Sequence, residues 1–407
     1  MDSLDKLFGH LEFAKMDQIT LLNKAFLADT DPSKVNLSAG VYADEHGKPV
    51  VFRAVKKAEE LMLQDPKHNK EYLPLGGHPA FVETAQKIVF GEDSEVLTSK
   101  RVASAQTISG TGALMNGLIL LKKSAPGVVY VSNPTWPMHY GLIAQQSLPV
   151  REYPYWNKDT KGLDFPKMKE TLAGCPAGSI ILLHACAHNP TGCDLSEDQW
   201  NEVLTIVTEN KLLAFFDLAY QGFATGDLSV DAYPVRLFAS KGLTFLVAQS
   251  LAKNFGLYGE RIGALHVVCQ EADTAKLVLS HMESIARNTY LTPPMHGALI
   301  VDTIWRNPDL KEDYLNQLRE VSGRITQART LLKTALEKAG VPGDWSHITN
   351  QRGMFSFTGL TPAQCEYLTK HLKVYIIGSG RANMAGINPG NADVLAERIG
   401  QAIKACH

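Results

Sequence analysis

Five short runs of strand character, at residues 102–108, 128–132, 179–184, 212–217 and 244–249, alternate with stretches of amphipathic helical spacing. One intervening helix is explicit: Ser196 with Gln199 three residues on makes a capping box, and Trp200, Val203, Leu204 and Val207 follow at helical spacing. Alternation of this kind implies an α/β layer built on a mainly parallel sheet. In such sheets ligands gather beyond the carboxyl ends of the strands, so the chemistry is sought in the residues that close each run.

A chain of 407 residues has room for two or three domain-sized units. A long helical pattern over 310–340 carries Leu318, Val321, Ile325, Leu331, Leu332 and Leu336 as apolar members, and shorter strands follow around 354–357 and 374–377. A smaller C-terminal domain is therefore expected. An apolar fraction of 45%, a charged fraction of 20% and a net charge of -2 with both signs interspersed describe an ordinary soluble protein. They argue against nucleic acid or an anionic membrane as the main partner. No apolar run approaches the roughly 20 residues that span a bilayer. The start, Met1-Asp2-Ser3-Leu4-Asp5-Lys6, has two acids, no arginine and no apolar core, unlike a secretory signal or a mitochondrial presequence. Six scattered cysteines point to reduced thiols, so a cytoplasmic location is expected.

The run at 244–249 is closed by Ser250, with Lys253 just beyond and Arg261 eight residues after it. A lysine leaving a buried strand end is favoured in its neutral, nucleophilic form and can form an imine with a carbonyl. The hydroxyl of Ser250 and the guanidinium of Arg261 suit a phosphate. Carbonyl and phosphate together point to pyridoxal 5'-phosphate (PLP). After the first run, Ser109-Gly110-Thr111-Gly112 opens an apolar helix over 113–121, where glycines and free N–H groups admit an anion. After the second, Trp136 between Pro134 and Pro137 offers a flat face for a ring, although core packing is the plainer account.

The third run ends in His184-Ala185-Cys186-Ala187-His188-Asn189-Pro190-Thr191-Gly192. A continued strand would set His184, Cys186 and His188 on one face, with Cys193 near, as metal ligands. No second ligand pair stands out elsewhere, and 189–192 reads better as a rigid turn presenting an amide; no metal is expected. After the fourth run, Asp217 places a carboxylate behind apolar residues, where it needs a cation such as a protonated pyridine nitrogen. A helix cap is the plain alternative. A nicotinamide site is poorly supported: Gly378-Ser379-Gly380 starts a dinucleotide fingerprint, but the third glycine falls at Asn383 and no N-terminal βαβ unit leads into it.

From about Val35 onward the chain resembles the aspartate aminotransferases among the fold-type I PLP enzymes. The resemblance is carried by Tyr72-Leu73-Pro74, Ser109-Gly110-Thr111-Gly112, Ser132-Asn133-Pro134-Thr135-Trp136-Pro137, His188-Asn189-Pro190-Thr191-Gly192, Phe216-Asp217-Leu218-Ala219-Tyr220-Gln221-Gly222-Phe223, the Lys253 segment and Ser379-Gly380-Arg381. It implies an N-terminal arm (1–14), a large PLP-binding domain (49–319) and a small α/β domain built from both chain ends (15–48 and 320–407), in a homodimer with shared active sites.

The resemblance also implies roles. Lys253 is the Schiff-base lysine and proton shuttle; Asp217, backed by His139 and His184, keeps the pyridine nitrogen protonated. Asn189 and Tyr220 bond the phenolic oxygen, and Trp136 stacks on the ring. Ser109, Gly110, Thr111, Ser250 and Arg261 hold the phosphate, with Tyr72 reaching it from the neighbouring subunit. Arg381, Asn189 and Gly40 bind the substrate α-carboxylate, and Arg287 binds a second carboxylate across the interface. The implied reaction is ping-pong transamination between L-aspartate and 2-oxoglutarate.

Three departures widen the choice of donor: Ala252 replaces a hydroxyl beside the lysine, Leu291-Thr292 replaces a Ser-Asn pair, and Asp17-Gln18-Ile19-Thr20 replaces an Asp-Pro start. An aromatic or broad-range aminotransferase is the first alternative. A non-enzymatic metal- or PLP-binding protein is the alternative from another class.

Overall fold

The computed structural model describes residues 7–14, 16–44 and 47–406. Residues 1–6, read above for a targeting signal, lie outside them, as does part of the expected arm. Seven strands form the central sheet: β1 (Val102–Ile108), β2 (Val129–Asn133), β3 (Val150–Pro154), β4 (Ile180–His184), β5 (Leu213–Leu218), β6 (Phe245–Ser250) and β7 (Ile262–Val268). Their order is β1-β7-β6-β5-β4-β2-β3. Pairs β2/β3, β2/β4, β4/β5 and β5/β6 are parallel, whereas β7 runs antiparallel to both β1 and β6.

The five expected strands are present within one residue at each end. The two others escaped the sequence reading for different reasons. Strand β3 lies at the sheet edge with Val150, Arg151 and Glu152 exposed, so it has no apolar signature. Strand β7 is fully buried but follows β6 without a crossover helix, through a short 3-10 turn at Tyr258–Glu260. That antiparallel insertion makes β1 and β6 parallel to each other and brings their carboxyl ends together. Gly263, opposite Ser250, closes the junction. A Cβ there would lie 2.5 Å from the Gln249 carbonyl oxygen and 2.7 Å from the carbonyl carbon of Ser109.

Successive side chains on a strand point to opposite faces, and β5 shows the consequence. Phe216 joins Trp200, Phe238 and Phe245 on one side, with Phe238 edge-on at 5.0 Å. Phe215 joins Leu114, Leu118, Leu246 and Leu265 on the other. Helix Glu197–Glu209, opened by the capping box of Ser196 and Gln199, covers the first face. Helix Ser109–Ser124 covers the second, and Gly117 lets it settle onto the Phe215 ring.

The chain ends meet away from this sheet. Helix Pro308–Lys338, capped by Asn307, leads to strand Phe355–Phe357, which pairs antiparallel with Arg381–Asn383. Val35–Asn36 pairs in parallel with Val374–Tyr375, joining an early segment to the last part of the chain. Helix Gln18–Ala28, capped by Asp17, is tied there by Tyr375, whose hydroxyl donates to Asp29 at 2.6 Å. Among the described residues no helix is long and apolar enough to cross a membrane.

A methyl group on Gly117 would stand 2.5 Å from Cζ of buried Phe215, whereas nothing lies within 4 Å of one on Gly323 in helix Pro308–Lys338. Overpacking costs about 1–3 kcal/mol, more than the roughly 0.5–1 kcal/mol that alanine gains over glycine in a helix. Gly117→Ala is therefore expected to lower the denaturation midpoint and Gly323→Ala to raise it. Shifts of the same sign would contradict this packing.

Candidate active site

The carboxyl ends of β1 and β6 form a cradle of donors. Ser109 has φ 62°, and its N–H donates to the Arg261 carbonyl at 2.9 Å. Its Oγ lies 3.4 Å from Ser250 Oγ, which in turn lies 3.5 Å from Lys253 Nζ. The helix begins at Ser109 itself, four residues before the expected 113, so the Ser-Gly-Thr-Gly segment is the first helical turn and not a preceding loop. No side chain caps it, leaving first-turn N–H groups for an anion. Gly110 is pressed against Ser250: a Cβ there would come within 2.9 Å of the serine's own. Arg261, at φ 53°, keeps an exposed guanidinium whose Nη1 donates to the Tyr258 carbonyl at 3.1 Å.

One strand over, β5 delivers Asp217 beside His184 of β4, its register partner. Asp217 Oδ2 lies 3.1 Å from His139 Nε2. His139 Nδ1 bonds Thr135 Oγ1 at 2.8 Å, and the same hydroxyl reaches His184 Nε2 at 3.1 Å. Burial pushes the Asp217 carboxyl up, but the His139 hydrogen bond and nearby positive potential outweigh it and hold it below the usual range. It stays ionised at neutral pH. Burial pulls the His184 imidazole down to about 3, so that ring is neutral. Behind it, His188 spans Ser132 and Thr191, each at 2.8 Å, and stacks on Tyr155 at 3.8 Å. Trp136, partly exposed, meets His139 edge-on at 5.3 Å.

Lys253 is partly buried, with Nζ 5.3 Å from the Tyr220 ring centre. Burial lowers its amine below the usual lysine range, Asp217 opposes that, and Arg261 adds to it. On the far side, Arg381 is buried. Its Nη1 donates to Asn189 Oδ1 at 3.3 Å and its Nη2 to the Ser38 carbonyl at 2.9 Å, while Nε has no partner. The guanidinium lies 4.0 Å over the Phe355 ring. Burial pulls it down to about 10, leaving it a cation at neutral pH. Tyr220 meets Phe355 edge-on at 5.8 Å, and Gly40 stands at the same ring.

Within the chain, Ser109, Gly110, Ser250, Lys253 and Arg261 thus meet at one strand-end cradle, with Thr111 in the same helical turn. Asp217, Tyr220, Asn189 and Arg381 converge beside it through Phe355, His139 and the field of Lys253. Tyr72 and Arg287 are both exposed on the surface, apart from this group. The His184, Cys186 and His188 trio does not assemble as ligands. The strand ends at His184, Ala187 takes φ 47°, and Cys186 turns into the core beside Trp200. Among the described residues the donor atoms that gather within 4.8 Å belong to His139, His184 and Asp217. Sequence reading missed Thr135 as the bridge between two imidazoles, although it lies inside a segment singled out for Trp136. It also missed Phe355, which reads as plain core.

Fold and site together have the features of one class, α/β enzymes with an amine at a strand end beside a cradle of hydroxyl and N–H donors. The uncapped helix start, the two serine hydroxyls and Arg261 fit the phosphate of PLP, and the ionised Asp217 fits a protonated ring nitrogen.

Comparison with known proteins leads further. The sequence model of the family "Aminotransferase class I and II" matches residues 32–399. The chain is 43% identical to a cytoplasmic aspartate aminotransferase of Dictyostelium discoideum, over 98% of this chain and 90% of that protein. It is similar in structure to the cytoplasmic aspartate aminotransferase of Saccharomyces cerevisiae, with TM-score 0.97 and 40% identity over 99% and 100% of the two chains. An aromatic-amino-acid aminotransferase of Burkholderia pseudomallei, covalently bound to pyridoxal phosphate, aligns with TM-score 0.94 and 40% identity over 97% and 99%. The chain belongs to the class I and II aminotransferases and is an aminotransferase.

His266, on β7, is buried between Ser104 Oγ at 2.7 Å and Gln249 Oε1 at 3.0 Å, and burial pulls its pKa from 6.5 to about 3. The unfolded chain takes up this proton near pH 6.5 and the folded chain only near 3. Its contribution is full above 6.5 and is lost as pH falls towards 3, at about 1.4 kcal/mol per pH unit. In apoprotein denaturation between pH 7.5 and 4.5, His266→Gln is expected to flatten the acid-side fall relative to wild type by that slope. Parallel profiles would refute a neutral, buried His266.

Proposed function

We propose that this protein transfers the amino group of L-aspartate to 2-oxoglutarate, giving oxaloacetate and L-glutamate, with PLP as cofactor. The observation that carries the reading is the juxtaposition of a lysine with lowered basicity, an ionised buried aspartate and a buried arginine held by Asn189. When bound, PLP supplies a carbonyl carbon that takes up an amino group and a ring that withdraws electrons from the substrate Cα. Asp217 holds a proton at the ring nitrogen, with His139 fixing the carboxylate and Thr135 fixing His139 and His184. Asn189 and Tyr220 donate to the phenolic oxygen, and Trp136 covers the ring. Ser109, Gly110, Thr111, Ser250 and Arg261 hold the phosphate.

Arg381 orients the substrate through its α-carboxylate, beside Gly40, as a planar fork matched to two oxygens. Lys253 Nζ would take the Cα proton as general base and deliver it as general acid to the cofactor's former carbonyl carbon; its lowered basicity suits both tasks near neutral pH. Amino acid and oxo acid take turns at one site, which gives ping-pong kinetics.

The same reading makes the protein a homodimer. Tyr72, at 75% exposure, and Arg287 are both exposed on their own chain, and Leu7, Phe8, Leu11 and Phe13 leave apolar surface uncovered. Tyr72 would complete the neighbour's phosphate site, and Arg287 would take the second carboxylate of the neighbour's substrate. It also divides the chain into an arm (1–14), a small domain (15–48 and 320–407) and a large domain (49–319). A cytoplasmic location is favoured by six free cysteines.

A second reading, aromatic or broad amino acid use, is favoured by Leu291, which stands in a left-handed conformation at φ 66°, 40% exposed, four residues from Arg287.

Lys253→Ala is expected to keep the fold and lose turnover by about a thousand-fold or more, measured as 2-oxoglutarate-dependent aspartate consumption. Near-normal turnover would end the assignment. Arg287→Ala should depress kcat/KM for aspartate by at least about ten-fold while sparing phenylalanine, since one bidentate carboxylate contact is lost. Equal rates for aspartate before and after the change would favour the second reading.

A further inference from the structure

Arg329 stands on helix Pro308–Lys338, buried, and spends its guanidinium on main-chain carbonyls. Nη1 donates to Ile348 O at 2.9 Å, and Nη2 donates to Gly353 O at 2.7 Å and Phe355 O at 2.6 Å. Asp194 favours its charge only from a distance, because that carboxylate is occupied by the N–H groups of Ala187 and His188, at 2.8 and 2.9 Å. A buried guanidinium without an acid in contact is costly, so three converging carbonyls are a demanding way to satisfy it.

What those carbonyls belong to gives the arrangement its meaning. The 348–355 turn ends in Phe355, whose ring lies under the Arg381 guanidinium at 4.0 Å and edge-on to Tyr220. The turn also seats the loop that carries Asn189. The N–H of Arg352 donates to Gly192 O at 2.7 Å. A Cβ on Gly192 would lie 2.7 Å from the Phe355 carbonyl oxygen, the same atom that Arg329 binds. A Cβ on Gly353 would lie 2.3 Å from that of Ala187. Arg381 is therefore held from below by Phe355 and from the side by Asn189, and both supports rest on the turn that Arg329 clamps.

We propose that Arg329 is a positioning residue for substrate carboxylate binding, acting through Phe355 and the Asn189 loop on Arg381. This rests on the reading of Arg381 as the α-carboxylate arginine. A displacement of about 1 Å in such a group costs on the order of a hundred-fold, and loss of uniform substrate binding raises KM more than it lowers kcat.

The test uses the PLP-loaded enzyme with L-aspartate and 2-oxoglutarate, comparing Arg329→Met, Arg329→Lys, Phe355→Leu, Arg329→Met with Phe355→Leu, and Arg381→Ala. Arg329→Met should raise KM for both substrates at least about five-fold with a smaller change in kcat, and Arg329→Lys should fall between it and wild type. Because both residues act through one platform, the double variant should be no worse than the poorer single one. A purely stabilising role would lower the thermal midpoint and leave KM within about two-fold of wild type, which overturns the proposal, as do single effects that multiply in the double variant. Where Arg329→Met gives no soluble holoenzyme, Arg329→Lys decides: a raised KM supports the role and an unchanged KM overturns it. Unchanged KM in Arg381→Ala would instead overturn the reading of Arg381, separating the two failures.

Discussion

An ionised carboxylate near the end of a largely buried strand sets the terms for the surrounding structure. Every group near Asp217 works to offset the cost of taking its charge out of water. His139 binds it directly, Thr135 orients His139, and the neutral His184 lies alongside as its register partner on β4. Desolvation would make the acid weaker; these contacts make it stronger. Such a carboxylate is an efficient partner for one cation brought to it, and a poor structural device without one. The same field acts on Lys253, where burial favours the neutral amine and Asp217 restrains the drop.

Antiparallel β7 is the second determinant, and it is purely topological. It lies between β1 and β6, reversing direction twice, so the helix start at Ser109 and the strand end at Ser250 fall side by side. Glycine at 110 and 263 lets the two backbones close to a distance that no side chain permits. The two serine hydroxyls and the lysine then share one rim. Arg381 comes from the opposite direction, on a short strand near the end of the chain, and reaches Asn189 from 192 residues away. The site is thus assembled from a sheet edge and a segment distant in sequence that packs against it through Phe355.

Much of this was legible in the residues. Patterning located five strands within one residue at each end, because apolar runs buried on both faces have few alternatives. The capping box at Ser196 and the segments ending at Asp217, Asn189 and Lys253 carried unusual polar groups at strand ends, where sheet topology makes them meaningful. What escaped lacked a local signature. Strand β3 has a solvated edge, β7 has no crossover helix before it, and Phe355 and Thr135 look like ordinary core and turn residues. The face shared by His184, Cys186 and His188 failed because it presumed that the strand continued; the backbone turns at Ala187 instead.

From its residues alone, then, this chain specified an α/β sheet, the strand ends that carry unusual polar groups and the kind of cofactor those groups suit, since side-chain period and the cost of burying charge are local properties. Only the tertiary structure decided that a lone antiparallel strand joins two of those ends, that a threonine links two histidines behind Asp217, and that Arg329 clamps the turn beneath Arg381. These depend on contacts between residues far apart in sequence, for which composition and spacing carry no signal.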